Sequence, residues 1–346
     1  MANFDDMKFA VEALSGGKNT VILDDRGMPS IMVALPKMLS SELDPAFTQT
    51  PHPAFVLNSA EKGTVYLSKF QNVVIGDRAY SLPMKDPRAN ITFDAALAAC
   101  RNKGEGWGLT PFALWSAVAL WSKKNGTMPR GNNNYGRDVN YTHEKGTPTY
   151  YESGKVARVA TGSGPATWNH NWLPDGIADM NGNVWEWCAG MRLMNGEIQI
   201  IPYANCMDPT CDMGANSAAW KAILEDGTIV EPGTAGTLKY DYVGSKITLS
   251  TGITLQEDTG RSTTFETLGT TLASVPQIIK ELALFPNGTG YEGDNFYMNN
   301  SGERLPFRGG GWNNGAGAGV FCSHLNYPRS NSGGSVGFRS AFYGDL

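Results

Sequence analysis

The sequence predicts an α+β fold in which two helices precede irregular loops and a series of β-hairpins. Apolar residues recur at helical spacing between residues 93 and 124, and short segments alternate between apolar and polar residues from about residue 191 to residue 301. Glycine supplies 41 of the 346 residues, which indicates many turns. A hydrophobic content of 41% with 18% charged residues is typical of a globular chain and excludes a disordered one.

Residues 1–48 are predicted to form a small N-terminal β segment, and residues 49–346 the main domain. In the first, the turn sequence at residues 24–27 separates two apolar runs, as in a hairpin. Two further strand pairs are predicted early in the main domain, namely residues 54–57 with 64–67 and residues 73–75 with 79–81.

Two helices are predicted next. Thr92 is a typical N-cap for a helix over residues 93–103, and Pro111 marks the start of a second helix that ends at Asn125. The aromatic residues of the second helix recur at roughly helical spacing, which is more typical of a buried face than of a binding stripe. Residues 124–164 then read as a long loop, because they are polar and rich in glycine and asparagine.

Residues 191–301 form an insert that alternates in the manner of strands. They are predicted to form β-hairpins with one short helix near residues 275–283. Further along, RGGGW at residues 308–312 and VGFRSA at residues 336–341 frame a run of Gly, Ala, Ser and Asn. A run so poor in large apolar residues, held between aromatic anchors, is the arrangement of a binding site on a rigid frame.

This frame, together with the sequence DMNGNVWEW at residues 179–187, resembles the formylglycine-generating-enzyme branch of the C-type lectin fold. Within that branch it is most similar to the variable proteins of diversity-generating retroelements. The resemblance covers roughly residues 81–341 apart from the insert. It implies a C-type-lectin-like, formylglycine-generating-enzyme-type fold with a variable region at about residues 312–341, in which adenines of Asn-type codons are rewritten.

The composition of the variable region agrees with rewriting of that kind. Changing the adenines of an AAY codon cannot give Trp, Lys, Glu, Gln or Met, and none of these occurs at residues 313–335. A Gly-rich loop that merely avoids bulky residues would explain the missing Trp. It would not explain the missing Lys, Glu and Gln, which loops usually accept.

The variable region is expected to carry the ligand-binding surface. Residues 320–327 have the pattern of a strand, in which Phe321, Ser323 and Leu325 face inward. The side chains of Cys322, His324 and Asn326 then face outward. Tyr327 is expected to be the main anchor, because tyrosine combines a large area with a polar tip. The Gly and Ser positions are expected to be variable sites that are small in this chain. The predicted ligand-binding residues are Asn314, Gly317, Cys322, His324, Asn326, Tyr327, Asn331, Gly333, Gly334 and Ser335.

The resemblance also implies a Ca²⁺ site, although no cofactor is expected to be required. Its ligands by position would be Asp179, the carbonyl groups of Gly182 and Val184, and Glu186. The residues alone leave a second interpretation open. Glu186 lies between two tryptophans and needs a partner, which could equally be an arginine such as Arg308 or Arg339.

We expect no enzymatic activity. The enzymes of the branch use two cysteines shortly after their GG motif, and the matching places here hold Asn314 and Gly319, with Cys322 offset and alone. The four histidines lack metal-ligand spacing, and P-loop, Rossmann and G-x-S-x-G patterns are missing. The five cysteines do not suggest a disulfide framework, although a Cys206–Cys211 bond stays open.

Charge and hydropathy restrict the partners. A net charge of −5 and a pI near 5.5, without a basic stripe, argue against nucleic acid. No apolar run is long enough to insert into a membrane. The N-terminus lacks the pattern of a secretory signal, so the protein is expected to be made in the cytoplasm and to act on a phage virion or a cell exterior.

The expected function is that of a hypervariable ligand-binding or attachment protein, either a phage receptor-binding protein or a bacterial surface or accessory binder. Its partner would be a protein or glycan receptor on a cell surface, and the chain is a candidate homo-oligomer. Two alternatives stay open, an oxidase of the formylglycine-generating type and an inert structural tail module. A near-copy of the coding region for residues 312–341 beside a reverse transcriptase gene would distinguish the expected function from these two alternatives.

Overall fold

Helices are few and short in the computed structural model, which describes residues 4–346. They are α1 (Asp5–Ser15), α2 (Ser40–Leu43), α3 (Phe93–Arg101), α4 (Phe112–Lys124) and α5 (Gln277–Glu281). The two predicted helices are α3 and α4, and α5 is the short helix expected in the insert. Thr92 caps α3 as predicted, because its Oγ1 accepts the N–H of Ala95 at 3.3 Å. Helix α1 was not predicted, and none of its residues is buried.

Short strands make up most of the regular structure. Those of the first half are β1 (Asn19–Leu23), β2 (Pro29–Pro36), β3 (Val56–Leu57), β4 (Ala60–Glu61), β5 (Thr64–Ser68), β6 (Val73–Ile75), β7 (Arg78–Tyr80), β8 (Trp107–Leu109), β9 (Tyr151–Glu152) and β10 (Lys155–Val156). Those of the second half are β11 (Trp185–Trp187), β12 (Met191–Met194), β13 (Glu197–Ile200), β14 (Lys221–Ile223), β15 (Ile229–Val230), β16 (Lys239–Val243), β17 (Lys246–Ser250), β18 (Arg261–Thr264), β19 (Gly269–Thr270), β20 (Asn295–Met298), β21 (Glu303–Arg304), β22 (Phe307–Gly309), β23 (Gly319–Leu325), β24 (Val336–Phe338) and β25 (Ser340–Phe342). The mixed α+β class that the sequence predicts is therefore present.

The N-terminal hairpin belongs to a five-stranded sheet in the order β1-β2-β5-β25-β8. Strands β1 and β2 pair as predicted, but β2 also pairs with β5, which in turn pairs with β25 at the other end of the sequence. The sheet thus joins the N-terminal hairpin to the rest of the chain, where a separate segment was expected over residues 1–48. The predicted pairing of residues 54–57 with 64–67 is wrong, since β3 pairs with its near neighbour β4. The hairpin of β6 and β7 is as predicted.

The insert contributes to two sheets. Most of its strands form a hairpin-rich sheet in the order β15-β14-β13-β16-β17-β19, with β12 beside β13 and β21 beside β12. Strands β18 and β20 instead join a six-stranded sheet in the order β18-β20-β23-β22-β11-β24. Because β20 is the direct neighbour of β23, the insert is built into the surroundings of the variable region.

The six-stranded sheet carries the variable strand β23 in an interior position. Strand β23 runs parallel to β20 and antiparallel to β22. Register aligns one row of ring-bearing residues across neighbouring strands, namely Tyr297, His324, Phe307, Trp187 and Phe338. The adjacent row, on the opposite face, consists of Phe296, Ser323, Arg308, Glu186 and Gly337. One face of the sheet is therefore lined with rings where the variable strand crosses it.

Buried aromatic residues tie this sheet to the helices. Helix α4 is buried along most of its length, and Trp115 within it donates its Nε1–H to the carbonyl of Val320 at 2.8 Å. The aromatic residues predicted as core are all buried, namely Trp115, Trp185, Trp187, Trp312 and Phe338. Cys100 and Cys188 lie in the same core, and all five cysteines are free thiols. Between residues 4 and 346, no helix is long and apolar enough to cross a membrane.

Candidate ligand-binding pocket

Three rings form a continuous stack beside the variable region. Tyr297 and His324 stack with ring centroids 4.4 Å apart and planes 16° apart, and His324 stacks on Tyr327 at 4.9 Å and 24°. Trp185 meets His324 edge-on at 5.1 Å, and Phe307 lies 5.6 Å from Tyr327. Tyr327 is 41% exposed, which makes it the most accessible ring of the group.

An open pocket of about 370 Å³ lies against this stack. Five rings contribute to its lining, namely Trp185, Tyr297, Phe307, His324 and Tyr327. The remainder of the lining consists of Asn313, Asn314, Asn331, Ser332, Gly333, Ser335 and Val336. Aromatic surface combined with a few amide and hydroxyl groups is typical of a site that binds a small ligand or part of a larger one.

Six of the ten predicted ligand-binding residues line this one pocket. They are Asn314, His324, Tyr327, Asn331, Gly333 and Ser335. Their segments approach the pocket from the turn after Trp312, from the end of β23 and from the loop before β24. The other four predicted residues, Gly317, Cys322, Asn326 and Gly334, are not part of its lining.

Cys322 is fully buried, which corrects the expectation that it faces outward. Alternation along β23 does put Cys322 on the same face as His324, but the pocket begins only at His324. Burial raises the pKa of the Cys322 thiol well above its ordinary value. Asn326 and Gly334 are half-buried, and their carbonyl groups accept hydrogen bonds from Arg304 and Arg158 at 3.1 and 2.9 Å.

Sequence reasoning missed three rings of the pocket. Trp185 and Phe307 are scaffold residues outside the variable region, and Trp185 was predicted only as core. Tyr297 lies in the insert that the resemblance does not cover. Its hydroxyl accepts a hydrogen bond from Asn295 Nδ2 at 2.8 Å. Tyr297 reaches the pocket because β20 pairs with β23, and no local sequence pattern predicts that pairing.

His324 offers an unused polar atom inside the ring stack. Burial lowers the pKa of its imidazole to about 3, so the ring is neutral at pH 7. Its buried Nδ1 has no hydrogen-bond partner among residues 4–346. An unpaired buried polar atom costs about 1–3 kcal/mol.

The glycines of the variable region and its frame fall into two groups. A Cβ added at Gly333 would lie 3.7 Å from its nearest neighbour and one at Gly334 would lie 3.8 Å away, and neither residue has a positive φ. By contrast, a Cβ at Gly319 would collide with the carboxylate of Asp294, and one at Gly310 would lie 2.5 Å from Ala318 Cβ. Side chains can therefore be added at Gly333 and Gly334 but not at Gly310 or Gly319.

Four oxygen atoms of the DMNGNVWEW segment converge on one point, three from backbone carbonyl groups and one from a carboxylate. The side-chain nitrogen of Gln71 occupies that point. Gln71 Nε2 lies 3.1 Å from the carbonyl oxygen of Asp179, 3.4 Å from that of Gly182 and 3.1 Å from that of Val184. It lies 3.0 Å from Glu186 Oε1. These four residues are the ones that the resemblance implies as Ca²⁺ ligands, and we refer to their four oxygen atoms as the oxygen cage.

The oxygen cage as it stands does not fit Ca²⁺, because an N–H donor takes the position among the oxygen atoms. Glu186 pairs with the buried Arg339 through contacts of 2.5 and 2.6 Å, which is the arginine interpretation that the sequence left open. Asp179 contributes its carbonyl group to the cage and not its carboxylate: carboxylate Oδ2 accepts the N–H of Gly162 at 2.7 Å, and Oδ1 is buried without a hydrogen-bond partner among residues 4–346. Burial raises the pKa of Asp179 to about 6. Over the described residues, no cluster of three or more His, Cys, Asp or Glu side chains could hold a metal.

Fold and site together define a mixed α+β protein whose pocket is built by a segment rich in glycine, serine and asparagine on a frame of buried aromatic residues. No family model and no curated protein matches this chain. Its structure is similar, over 94% of its length, to PvdO from Pseudomonas aeruginosa, with 12% identity, 98% of that chain covered and a TM-score of 0.36.

Two further solved structures also align with 94% of the chain. Treponema denticola variable protein 1 has 12% identity, 99% of that chain covered and a TM-score of 0.36. The P3c variant of the Major Tropism Determinant has 10% identity, 71% coverage and a TM-score of 0.32. The chain is thus similar to a variable protein, the class that its motifs resemble.

Proposed function

We propose that this chain is a hypervariable ligand-binding protein on a C-type-lectin-like fold, diversified by a retroelement and used for attachment. The observation that carries the proposal is the composition of the pocket. Most of its lining comes from residues 313–335, the segment in which the amino-acid composition and the resemblance both indicate rewriting. Its fixed remainder consists mainly of scaffold rings. A constant aromatic base with a changeable rim suits a site that must recognise different targets.

The ligand would be a protein or glycan receptor on a cell surface. Exposed rings such as Tyr327 pack against apolar side chains or the apolar faces of sugars, at little cost in side-chain entropy. Asn and Ser groups at the rim supply adaptable hydrogen bonds. The neutral His324 adds one polar atom within the ring stack. Such a site is equally compatible with a phage receptor-binding protein and with a bacterial surface binder.

Binding is better supported than oxidase chemistry. A thiolate is the reactive form of cysteine and its metal-binding form. The pocket lining contains no cysteine, and the nearby Cys322 is fully buried with a raised thiol pKa. The positions that match the catalytic cysteines of the related enzymes hold Asn314 and Gly319.

The proposal is tested with Tyr327→Ala once a ligand has been found by screening cell surfaces and glycans with the wild-type protein. We expect binding to weaken by about 2 kcal/mol, as for other interface hot spots, because the outermost ring of the stack is lost. Folding should change little, since Tyr327 is 41% exposed. Tyr151→Ala is the matched control, because Tyr151 is 59% exposed and lies outside the pocket. Unchanged binding by Tyr327→Ala, or its unfolding, would show that the site is wrongly assigned.

A further inference from the structure

We infer that Gln71 takes the place of a calcium ion in this chain, so that the fold and the pocket do not depend on the metal. Gln71 lies in the loop between β5 and β6, more than a hundred positions from the segment it contacts, and its side chain is fully buried. Its single amide nitrogen faces three backbone carbonyl groups and one carboxylate oxygen within 3.4 Å.

Four oxygen atoms that converge on one point repel one another unless a positive group lies between them. An ion is one such group, and an amide nitrogen with two N–H donors is another. Two hydrogen atoms shared among four acceptors give longer contacts than metal coordination, and the observed 3.0–3.4 Å are hydrogen-bond distances. The oxygen cage is therefore held by hydrogen bonds from within the chain.

The orientation of the Gln71 amide follows from its other partner. Asn183 Nδ2 donates to Gln71 Oε1 at 2.8 Å, and the same nitrogen donates to the carbonyl of Val159 at 3.1 Å. Asn183 is fully buried and lies between Gly182 and Val184, whose carbonyl groups are part of the cage. In the flipped orientation of the Gln71 amide, Oε1 would face the four oxygen atoms of the cage and Nε2 would face the donor Nδ2 of Asn183. Gln71 Nε2 must therefore face the cage.

Local charge also argues against a dication. Glu186 supplies the carboxylate of the cage, and both of its oxygens already accept hydrogen bonds from Arg339. Arg339 in turn donates to the carbonyl groups of Ser68 and Ala178 at 3.1 and 3.0 Å. Glu186 and Arg339 neutralise each other without an ion. A Ca²⁺ ion in the cage would add two positive charges to this already neutral pair, and the cage contains no second carboxylate to balance them, whereas calcium sites rely on carboxylate charge.

This replacement bears on the pocket because the cage and the pocket share a strand. Val184 and Glu186 flank Trp185, whose ring is part of the pocket lining. Gln71 donates hydrogen bonds to the carbonyl group of Val184, before Trp185, and to the carboxylate of Glu186, after it. An amide that is part of the chain does this at any external calcium concentration.

The first test compares thermal melts of the wild-type protein in EDTA and in millimolar CaCl₂. We expect identical melting temperatures and no heat of Ca²⁺ binding in a calorimetric titration. Gln71→Met keeps the length of the side chain and removes its donors. The carbonyl groups of Asp179, Gly182 and Val184 lose the Gln71 donor, and only Glu186 Oε1 keeps a second donor, from Arg339. The melting temperature of this variant should therefore fall on the order of 5 °C, with or without calcium.

The second test uses Gln71→Glu, which turns the central nitrogen into a fifth oxygen. We expect this variant to melt lower than wild type in EDTA and to recover partly in CaCl₂. Gln199→Glu is the matched control, because it also buries a new carboxylate but lies beside Glu197 and Arg192, away from the cage. Its melting temperature should fall without recovery in calcium.

Three results would overturn the inference. They are a wild-type protein that EDTA destabilises or that binds Ca²⁺, a Gln71→Met variant that melts like wild type, and a Gln71→Glu variant whose response to calcium does not exceed that of Gln199→Glu. If Gln71→Glu does not fold, the wild-type and Gln71→Met measurements decide the question by themselves.

Discussion

Single residues of the variable region differ in which substitutions they can accept. Gly333→Ser should melt like wild type, because the added Cβ makes only an ordinary van der Waals contact and φ is not positive. Gly319→Ser should lose about 1–3 kcal/mol of stability, the usual cost of overpacking, because its Cβ would collide with the carboxylate of Asp294. Thermal melts of the two variants make the comparison, with Gly334→Ser as a second tolerant position. Equal losses at positions 319 and 333 would contradict this division.

His324 should make the stability of the protein depend on pH below about pH 6.5. Burial lowers the pKa of its folded-state imidazole to about 3, whereas an unfolded histidine has its ordinary value near 6.5. Between these values the unfolded chain binds a proton that the folded chain does not, so stability falls as the pH falls. The slope contributed by one such group is at most about 1.4 kcal/mol per pH unit.

The measurement for His324 is the change in melting temperature between pH 7 and pH 5. His324→Phe keeps a ring in the stack and removes the titrating group, so this variant should lose less stability over that range than wild type. His143→Phe, at an exposed position, should behave like wild type. The same pH dependence in wild type and His324→Phe would show that His324 does not contribute.

At the residue scale, the sequence predicted part of the pocket lining. Strand alternation correctly set Cys322 and His324 on one face and Phe321 and Leu325 on the other. It could not predict how far along that face the pocket extends, so Cys322 was expected to be exposed and is buried. Gln71 gave no signal at all, because its contacts with residues 179–186 depend on how distant loops fold together.

At the scale of elements, local signals predicted what local interactions decide. Caps and helical spacing predicted α3 and α4, and alternation predicted the hairpin strands of the insert. The pairing partner of each strand was less predictable than the strand itself. Strand β5 was recognised, but it pairs with β2 and β25 in place of its nearest neighbour. Such pairings depend on packing between segments that are far apart in the sequence, so no short stretch of the sequence predicts them.

The ring-bearing row of the six-stranded sheet should dominate the stability of that element. Trp187 and Phe338 are adjacent in this row and fully buried, and Trp187 packs on Phe307 with ring centroids 4.0 Å apart. Trp187→Ala and Phe338→Ala should each cost roughly 3–5 kcal/mol, as is usual for deletion of a buried aromatic side chain. Chemical denaturation measures the loss. Leu14→Ala, at a position that is 91% exposed, is the control. Wild-type stability of Trp187→Ala would mean that the row is not core.

At the scale of the whole molecule, distant parts of the chain build one pocket. The insert supplies Tyr297, the WEW segment supplies Trp185, and the variable region supplies most of the rim. The frame is fixed by buried pairs such as Glu186 with Arg339, which join the middle of the chain to its last strands. Under the proposed function, this division would let the rim change in composition while the parts that determine folding stay constant.

The most direct test of this division is a pair of displayed libraries. One randomises the rim positions Asn313, Asn314, Tyr327, Asn331, Gly333 and Ser335. The other randomises Val320, Phe321 and Leu325, which are fully buried in the same segment. Each library is sorted for folded protein and then for binding to a panel of cell surfaces and glycans. We predict that most members of the rim library fold and that different members bind different targets, whereas most members of the buried library do not fold. A rim library that unfolds as often as the buried one, or whose folded members all keep the binding profile of the parent, would contradict the proposal.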